Sequence, residues 1–375
     1  MAVVESRLRL EDTFIVDVDV HLHETPGDLM EYCDMPWRKS LEAIKDVPER
    51  YLDIPGFSPG GPGSGGYVPN FPGGINRRMV YTPEQMREEL DDLSIDLGLL
   101  IPDNFLKFAL IAHPEYAEAL ARAYNRWLID KWLTRSEGLY GALLAAPQDP
   151  ASAGREILQL GNEDKVVAVF LPTCGVYPLY GNRKYDPIFE AAEQMDLPLI
   201  LHAVGGTHNA FPYQLEQFET EFARHALAHP FSIMANLTHM ISTGVPARFP
   251  NLRVCLQEVG ISWVPFMMMR LDKEYSERRR DVPYLTARPS EYIKRQFVVS
   301  TQPIEEPEDM SDVATLIKLF DGEDSVMYAS DWPHHDFDHP RTVFNIPVPA
   351  EVKSKIMGEN AIRFFKLPAP VPARV

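Results

Sequence analysis

Short apolar runs of strand length alternate with longer amphipathic stretches from one end of the chain to the other. The apolar runs predict strands near 14–21, 96–102, 139–145, 165–172, 197–203, 252–257, 296–301 and 325–330. Helical periodicity falls between most of them, over 84–93, 114–134, 150–160, 186–195, 231–243, 263–279, 308–320 and 350–365. Val166-Val167-Ala168-Val169-Phe170-Leu171 is apolar without interruption, as a strand covered on both faces must be. Asp186-Pro187 reads as a cap and first-turn proline opening one helix. Eight strand–helix alternations within 375 residues predict an α/β fold, one (β/α)8 TIM barrel occupying residues 1–375. A doubly wound open sheet is the competing arrangement. The rhythm breaks at residues 54–74, where Gly and Pro dominate and neither helix nor strand is expected. This insertion joins the first strand to the first helix, the catalytic side of a barrel, so a substrate-covering loop is expected, packed by Phe57, Tyr67 and Phe71.

Polar residues of metal-binding type sit where four of these strands end. Asp19-Val20-His21-Leu22-His23 closes the first, His202 the fifth, Glu258 the sixth and Asp331 the eighth. Carboxyl ends of barrel strands share one rim, so these residues predict one site there. Alternate strand residues share a face, which aligns Asp17, Asp19, His21 and His23. Two neighbours on that face suffice to hold one divalent ion, and mixed imidazole and carboxylate donors suit zinc, manganese or iron. Each residue also has a plainer role: Asp331 as the cap of the following loop, Glu258 in a buried ion pair.

Charge and cysteine content narrow the partners. The net charge of −18, from 54 acidic and 36 basic residues, repels polyanions, so nucleic acid is not an expected partner. A small anionic substrate remains compatible, because a metal reverses the local field. Cys33, Cys174 and Cys255 are too few and too scattered for a disulfide framework, which points to the cytoplasm. The first dozen residues are charged throughout, without a leader's apolar segment, and no run is long enough for a membrane helix.

Seven stretches carry a resemblance: VDVDVHLHE at 16–24, YDPIFEAAEQMDLPLILH at 185–202, FPNLRV at 249–254, MMRLD at 268–272, QPIEEP at 302–307, YASDWPHHDFDHP at 328–340 and MGENAIRFF at 357–365. In order and spacing the chain resembles the amidohydrolase superfamily, in the branch typified by aminocarboxymuconate-semialdehyde decarboxylase. The resemblance implies two metal ligands two residues apart on the first strand. Asp19 with His21 fits that pattern and keeps the usual offset from the apolar run; His21 with His23 is the alternative register. It further implies His202 as a ligand, and Asp331 as a ligand or the group that orients the metal's water. Arg270 matches an arginine that some relatives lend to a neighbouring subunit's carboxylate site; a helix-surface ion pair with Asp272 or Glu274 is its other role.

The chain departs from the branch after the sixth strand. Many relatives carry a catalytic histidine there in a His-Gly-Gly pattern, whereas this chain has Glu258-Val259-Gly260. The carboxylate is a base, a ligand or a support for a histidine from elsewhere, with His23, His239, His334 and His335 as candidates. The resulting expectation is a cytoplasmic homodimer that binds one divalent metal, zinc first, then manganese or iron. Its reaction is non-oxidative decarboxylation of an aromatic or unsaturated carboxylic acid. Asp331, Glu258 and His334 are the candidate catalytic residues, and Arg270 and Trp332 the candidate substrate contacts. Metal-dependent hydrolysis of an amide, lactone or carbon–carbon bond is the alternative, and a barrel that only binds a ligand is the third reading.

Overall fold

A computed structural model describes residues 8–45, 80–204, 217–334 and 336–368. Eight strands follow one another in chain order around a single sheet. They are β1 (Val16–Leu22), β2 (Leu97–Pro102), β3 (Leu139–Leu144), β4 (Val166–Pro172), β5 (Leu199–His202), β6 (Val254–Gln257), β7 (Phe297–Ser300) and β8 (Val326–Met327). Each adjacent pair from β1–β2 to β7–β8 is parallel. The circle closes where the chain beyond β8 meets β1: Val18 N–H donates to the Tyr328 carbonyl (3.2 Å), Asp331 N–H to Asp19 (3.1 Å) and His21 N–H to Trp332 (2.8 Å). The barrel expected from the alternation is therefore present. β1 and β2 are buried along their whole length, because side chains fill the barrel on one face and helices cover the other.

Three differences from the sequence reading have physical causes. β8 is two residues long, not six. Beyond it Tyr328 N–H is given to the Ile356 carbonyl (2.8 Å) instead of the β7 ladder, and Asp331 turns the backbone into the left-handed region (φ 60°). The helix expected at 231–243 runs instead over Glu221–Ser242. Pro230 reads as a helix breaker but is tolerated inside it, and the start is set by Thr220, whose side chain accepts from Ala223 N–H. Asp186 lies in the first turn of its helix, Asp186–Gln194, and does not cap it. Its carboxylate pairs with Arg248 at 2.7 Å.

Strand register aligns the working rim. His21 lies opposite Ile101, Pro172 opposite His202, and His202 opposite Gln257. Residues at the carboxyl ends of distant strands thus stand at similar height around one mouth. The Gly/Pro-rich segment 54–74 lies outside the described residues.

Candidate metal centre

The pleat of β1 turns Asp17, Asp19 and His21 to the barrel interior, where all three are buried. Asp17, deepest of the three, serves structure. Its carboxylate accepts the N–H of Ser330 (2.9 Å), the N–H of Asp19 (3.1 Å) and the Ser330 hydroxyl. Burial raises its pKa to about 7 despite the Ser330 bonds. These contacts tie β1 to the segment that carries Asp331.

Above it, Asp19, His21 and His202 bring their donors together, with Asp331 against His21. His21 Nε2 stands 3.2 Å from Asp19 Oδ1 and 2.9 Å from Asp331 Oδ1. His202 Nε2, arriving from β5, is 3.4 Å from the same Asp19 oxygen. Donors sharing an ion at about 2.1 Å stand roughly 3.0–3.4 Å apart in octahedral and tetrahedral shells, and these spacings match. Both Asp19 oxygens, His21 Nε2 and His202 Nε2 are buried without a hydrogen-bond partner. Buried polar atoms are rarely left in that condition unless an ion or water satisfies them. The rings are also oriented as ligands. His21 Nδ1 faces the Pro102 carbonyl at 3.0 Å and His202 Nδ1 the Ala203 carbonyl at 2.5 Å, which turns each Nε2 into the pocket. The donor atoms of Asp19, His21 and His202 lie within 4.8 Å of one another, a grouping whose chemistry suits a divalent metal, and Asp331 stands beside His21.

Burial and His334 oppose a charge on His21, yet Asp19 and Asp331 raise its pKa to about 10. Burial likewise opposes ionisation of Asp331, but His334 and His21 hold its carboxyl well below the usual range. Metal binding would release the His21 proton.

Acid groups flank the donors on both sides. On one side His334 Nδ1 lies 2.6 Å from Asp331 Oδ1, and its ring packs on His21 with centroids 4.2 Å apart. Burial lowers the His334 pKa, but Asp331 and Asp103 carry it well above the ordinary value. On the other side Glu258 Oε2 is 3.4 Å from His202 Nδ1, and Oε1 is 3.2 Å from His229 Nε2. Burial, reinforced by Asp331, pushes the Glu258 carboxyl well up. Glu258 and Asp331 both adopt positive φ (59° and 60°) without being glycine. Such backbone strain is concentrated at functional sites.

Not every expected residue joins this group. β1 ends at Leu22, so His23 falls beyond the pleat; its ring, 21% exposed, turns to Asp103 Oδ2 at 3.0 Å. The residues brought together are those of the Asp19/His21 register, and His23 turns away from them. Arg270 lies on an exposed face of the Trp263–Arg278 helix and pairs with Glu274 at 2.8 Å. Trp332 is buried in the closing wall, its carbonyl taken by His21 N–H. His229 and Asp103 escaped the sequence reading. His229 precedes Pro230, which disguised the helix it belongs to. Asp103 follows the apolar run of β2 as Asp331 follows β8, and that placement was its signal.

A family model described as amidohydrolase matches residues 106–367. The chain is similar to the gamma-resorcylate decarboxylase of Rhizobium radiobacter, at 24% identity over 358 residues that cover 89% of this chain and 99% of that one. Among solved structures it is similar to 5-carboxyvanillate decarboxylase from Sphingomonas paucimobilis, with a TM-score of 0.72, 22% identity, and 95% and 100% of the two chains covered. The dihydroxybenzoic acid decarboxylase of Polaromonas sp. JS666, solved with bound manganese and 2-nitroresorcinol, gives a TM-score of 0.68 at 16% identity, covering 95% and 97%.

Proposed function

The chain belongs to the amidohydrolase family, in the branch that includes aminocarboxymuconate-semialdehyde decarboxylase, and from that premise we propose that it is a metal-dependent decarboxylase of a small aromatic acid with an oxygen substituent beside the carboxylate. The observation that carries this reading is the buried donor set of Asp19, His21, His202 and Asp331, flanked by groups that hold protons. The curated relative and the two solved neighbours are named as decarboxylases of aromatic acids, which supports the same class.

When bound, the metal would supply a positive charge that anchors the substrate's carboxylate and neighbouring oxygen. Zinc, the first choice from sequence, and manganese, found in the Polaromonas protein, both accept two imidazoles and two carboxylates. Everything else falls to the chain. The Asp331–His334 pair holds a proton beside the donors, within reach of a ring carbon lying over them. The ring carbon takes that proton as its bond to the carboxyl carbon breaks and carbon dioxide leaves. Gln302 Nε2 donates to Asp331 Oδ2 at 3.1 Å, which fixes the plane of the carboxylate during the transfer. Trp332 closes the wall beside His21 and keeps water from competing for the site.

The test is product analysis. Metal-loaded enzyme is incubated with a panel of hydroxybenzoates and vanillate-type acids, and products are read by mass. Loss of carbon dioxide is expected. His334→Asn should lower its rate by ~100-fold or more, since general acids contribute roughly that much. Gain of water across a substrate bond would replace this reading with the hydrolytic one, in which Glu258 would act as base.

A further inference from the structure

Carboxylates and imidazoles alternate through the site, and the chain they form extends past the metal donors on one side. Beyond Asp331, His334 Nε2 reaches Asp103 Oδ1 at 3.2 Å, and Asp103 Oδ2 reaches His23 Nδ1 at 3.0 Å. Asp103 is 13% exposed, so both its oxygens are spent on imidazoles in a largely dry place. Its backbone is equally constrained. The Asp103 N–H donates to the Leu22 carbonyl (3.0 Å) and to Glu24 Oε2 (3.1 Å). The two residues that follow are clamped to Glu24, just beyond β1: Asn104 Nδ2 donates to the Glu24 carbonyl (2.8 Å) and Phe105 N–H to Glu24 Oε1 (2.8 Å). Asp103 is thus a carboxylate on a rigid mount, aimed at a ring that lies against the metal donors.

We propose that Asp103 is a positioning residue that fixes the imidazole of His334, so that its other nitrogen stays on Asp331 and its face on His21. The ring has only two soft torsions. With Nδ1 on Asp331 alone, it can swing about the Cβ–Cγ axis; contacts at both nitrogens remove that freedom. A group that delivers a proton must sit within about 0.5 Å of its working place, and supporting hydrogen bonds are what hold it there. Asp103 stands in one cluster with His21 and His334, but its two oxygens contact the rings of His334 and His23, so its effect on the reaction passes through His334. The inference rests on the role given to His334 in the decarboxylation.

Asp103→Asn keeps the side-chain shape and converts one of the two acceptors to a donor. In the metal-loaded enzyme kcat should fall by roughly 10–100-fold, the usual effect of losing a supporting partner, with KM changed little and metal content unchanged. In the His334→Asn background the same change should cost almost nothing, because its target is gone. Asp103→Glu, which retains the carboxylate, should keep more of kcat than Asp103→Asn, and serves if the latter fails to fold. A metal-loaded crystal structure of Asp103→Asn should show the His334 ring turned from its position over His21. An unmoved ring with near-normal kcat overturns the proposal, and so do additive losses in the double variant. A turned ring in a protein whose parent decarboxylates no acid in the panel would uphold the positioning role while removing the proposed reaction.

Discussion

Glu24 offers a quantitative test of how the rim is held. It follows β1, has no solvent exposure, and accepts the N–H of Phe105 at 2.8 Å and of Asp103 at 3.1 Å. Burial, with the Asp103 carboxylate nearby, raises its pKa from 4.5 to about 8. Because the folded value lies above the unfolded one, the native state holds an extra proton between these limits, and stability falls as pH rises through that window. Each unit of separation is worth about 1.36 kcal/mol, so the full penalty is about 5 kcal/mol, complete above pH ~8. Glu24→Gln removes the ionisation. Its amide oxygen keeps one of the two N–H bonds, while its NH2 faces the other, a mismatch of about 1–3 kcal/mol that does not change with pH. The variant should therefore be less stable than the parent near pH ~5 and more stable near pH ~9, the difference swinging by about 5 kcal/mol. Urea unfolding followed by far-UV circular dichroism at several pH values, with metal concentration fixed, reads this directly from midpoints and slopes. Parallel stability curves for parent and variant would refute the argument, since they would mean that Glu24 enters the fold already ionised.

Two further outcomes test the centre and the packing around it. His202→Ala should lower metal affinity by more than the 10–100-fold typical of losing an outer partner, with substoichiometric metal after dialysis; full metal content would remove His202 from the ligand set. Gly181→Ala would push a methyl group into the His239 carbonyl and to 2.5 Å from Thr243 Oγ1, whereas in Gly98→Ala the obstacle, 2.7 Å away, is the flexible tip of Leu90. The first should cost about 1–3 kcal/mol or more and the second clearly less, as thermal melts will show; equal costs would contradict the packing.

How much of this was readable in advance depended on whether the signal was local. The alternation Asp17-Val18-Asp19-Val20-His21 is a strand pattern, and the structure keeps it, with all three polar residues facing inward. His202 closed an apolar run as plainly, but its role as a ligand came from the family resemblance and not from that run. The choice between Asp19 and His23 was not local, because it depended on where β1 stops, and that is fixed by hydrogen bonds to the segment after β8. The extent of β8 was misread for the same reason: Val326 to Ser330 is an apolar run, but Tyr328 pairs with Ile356. His229 was hidden because Pro230 reads as a helix end, while in the folded chain the flanking turns carry the helix past it. Its partnership with Glu258 is a tertiary contact that no single stretch of sequence announces.

The joint between β1 and the end of β8 carries one more consequence. Asp19 and His21 lie near the start of the chain and Asp331 near its end, and the Ser330–Asp17 bond that brings them together spans 313 residues. A ribosome releases β1 long before the segment it must meet. Until then the pocket has its floor and one wall, and an ion entering it finds an incomplete set of ligands. Tight metal uptake by the proposed ligands would thus require this closure. An ion held by the proposed ligands would in turn clasp the first and last strands together, adding stability in proportion to the logarithm of its free concentration. Cells short of the metal would hold a population in which that seam opens first, and proteases that sample open ends would remove it.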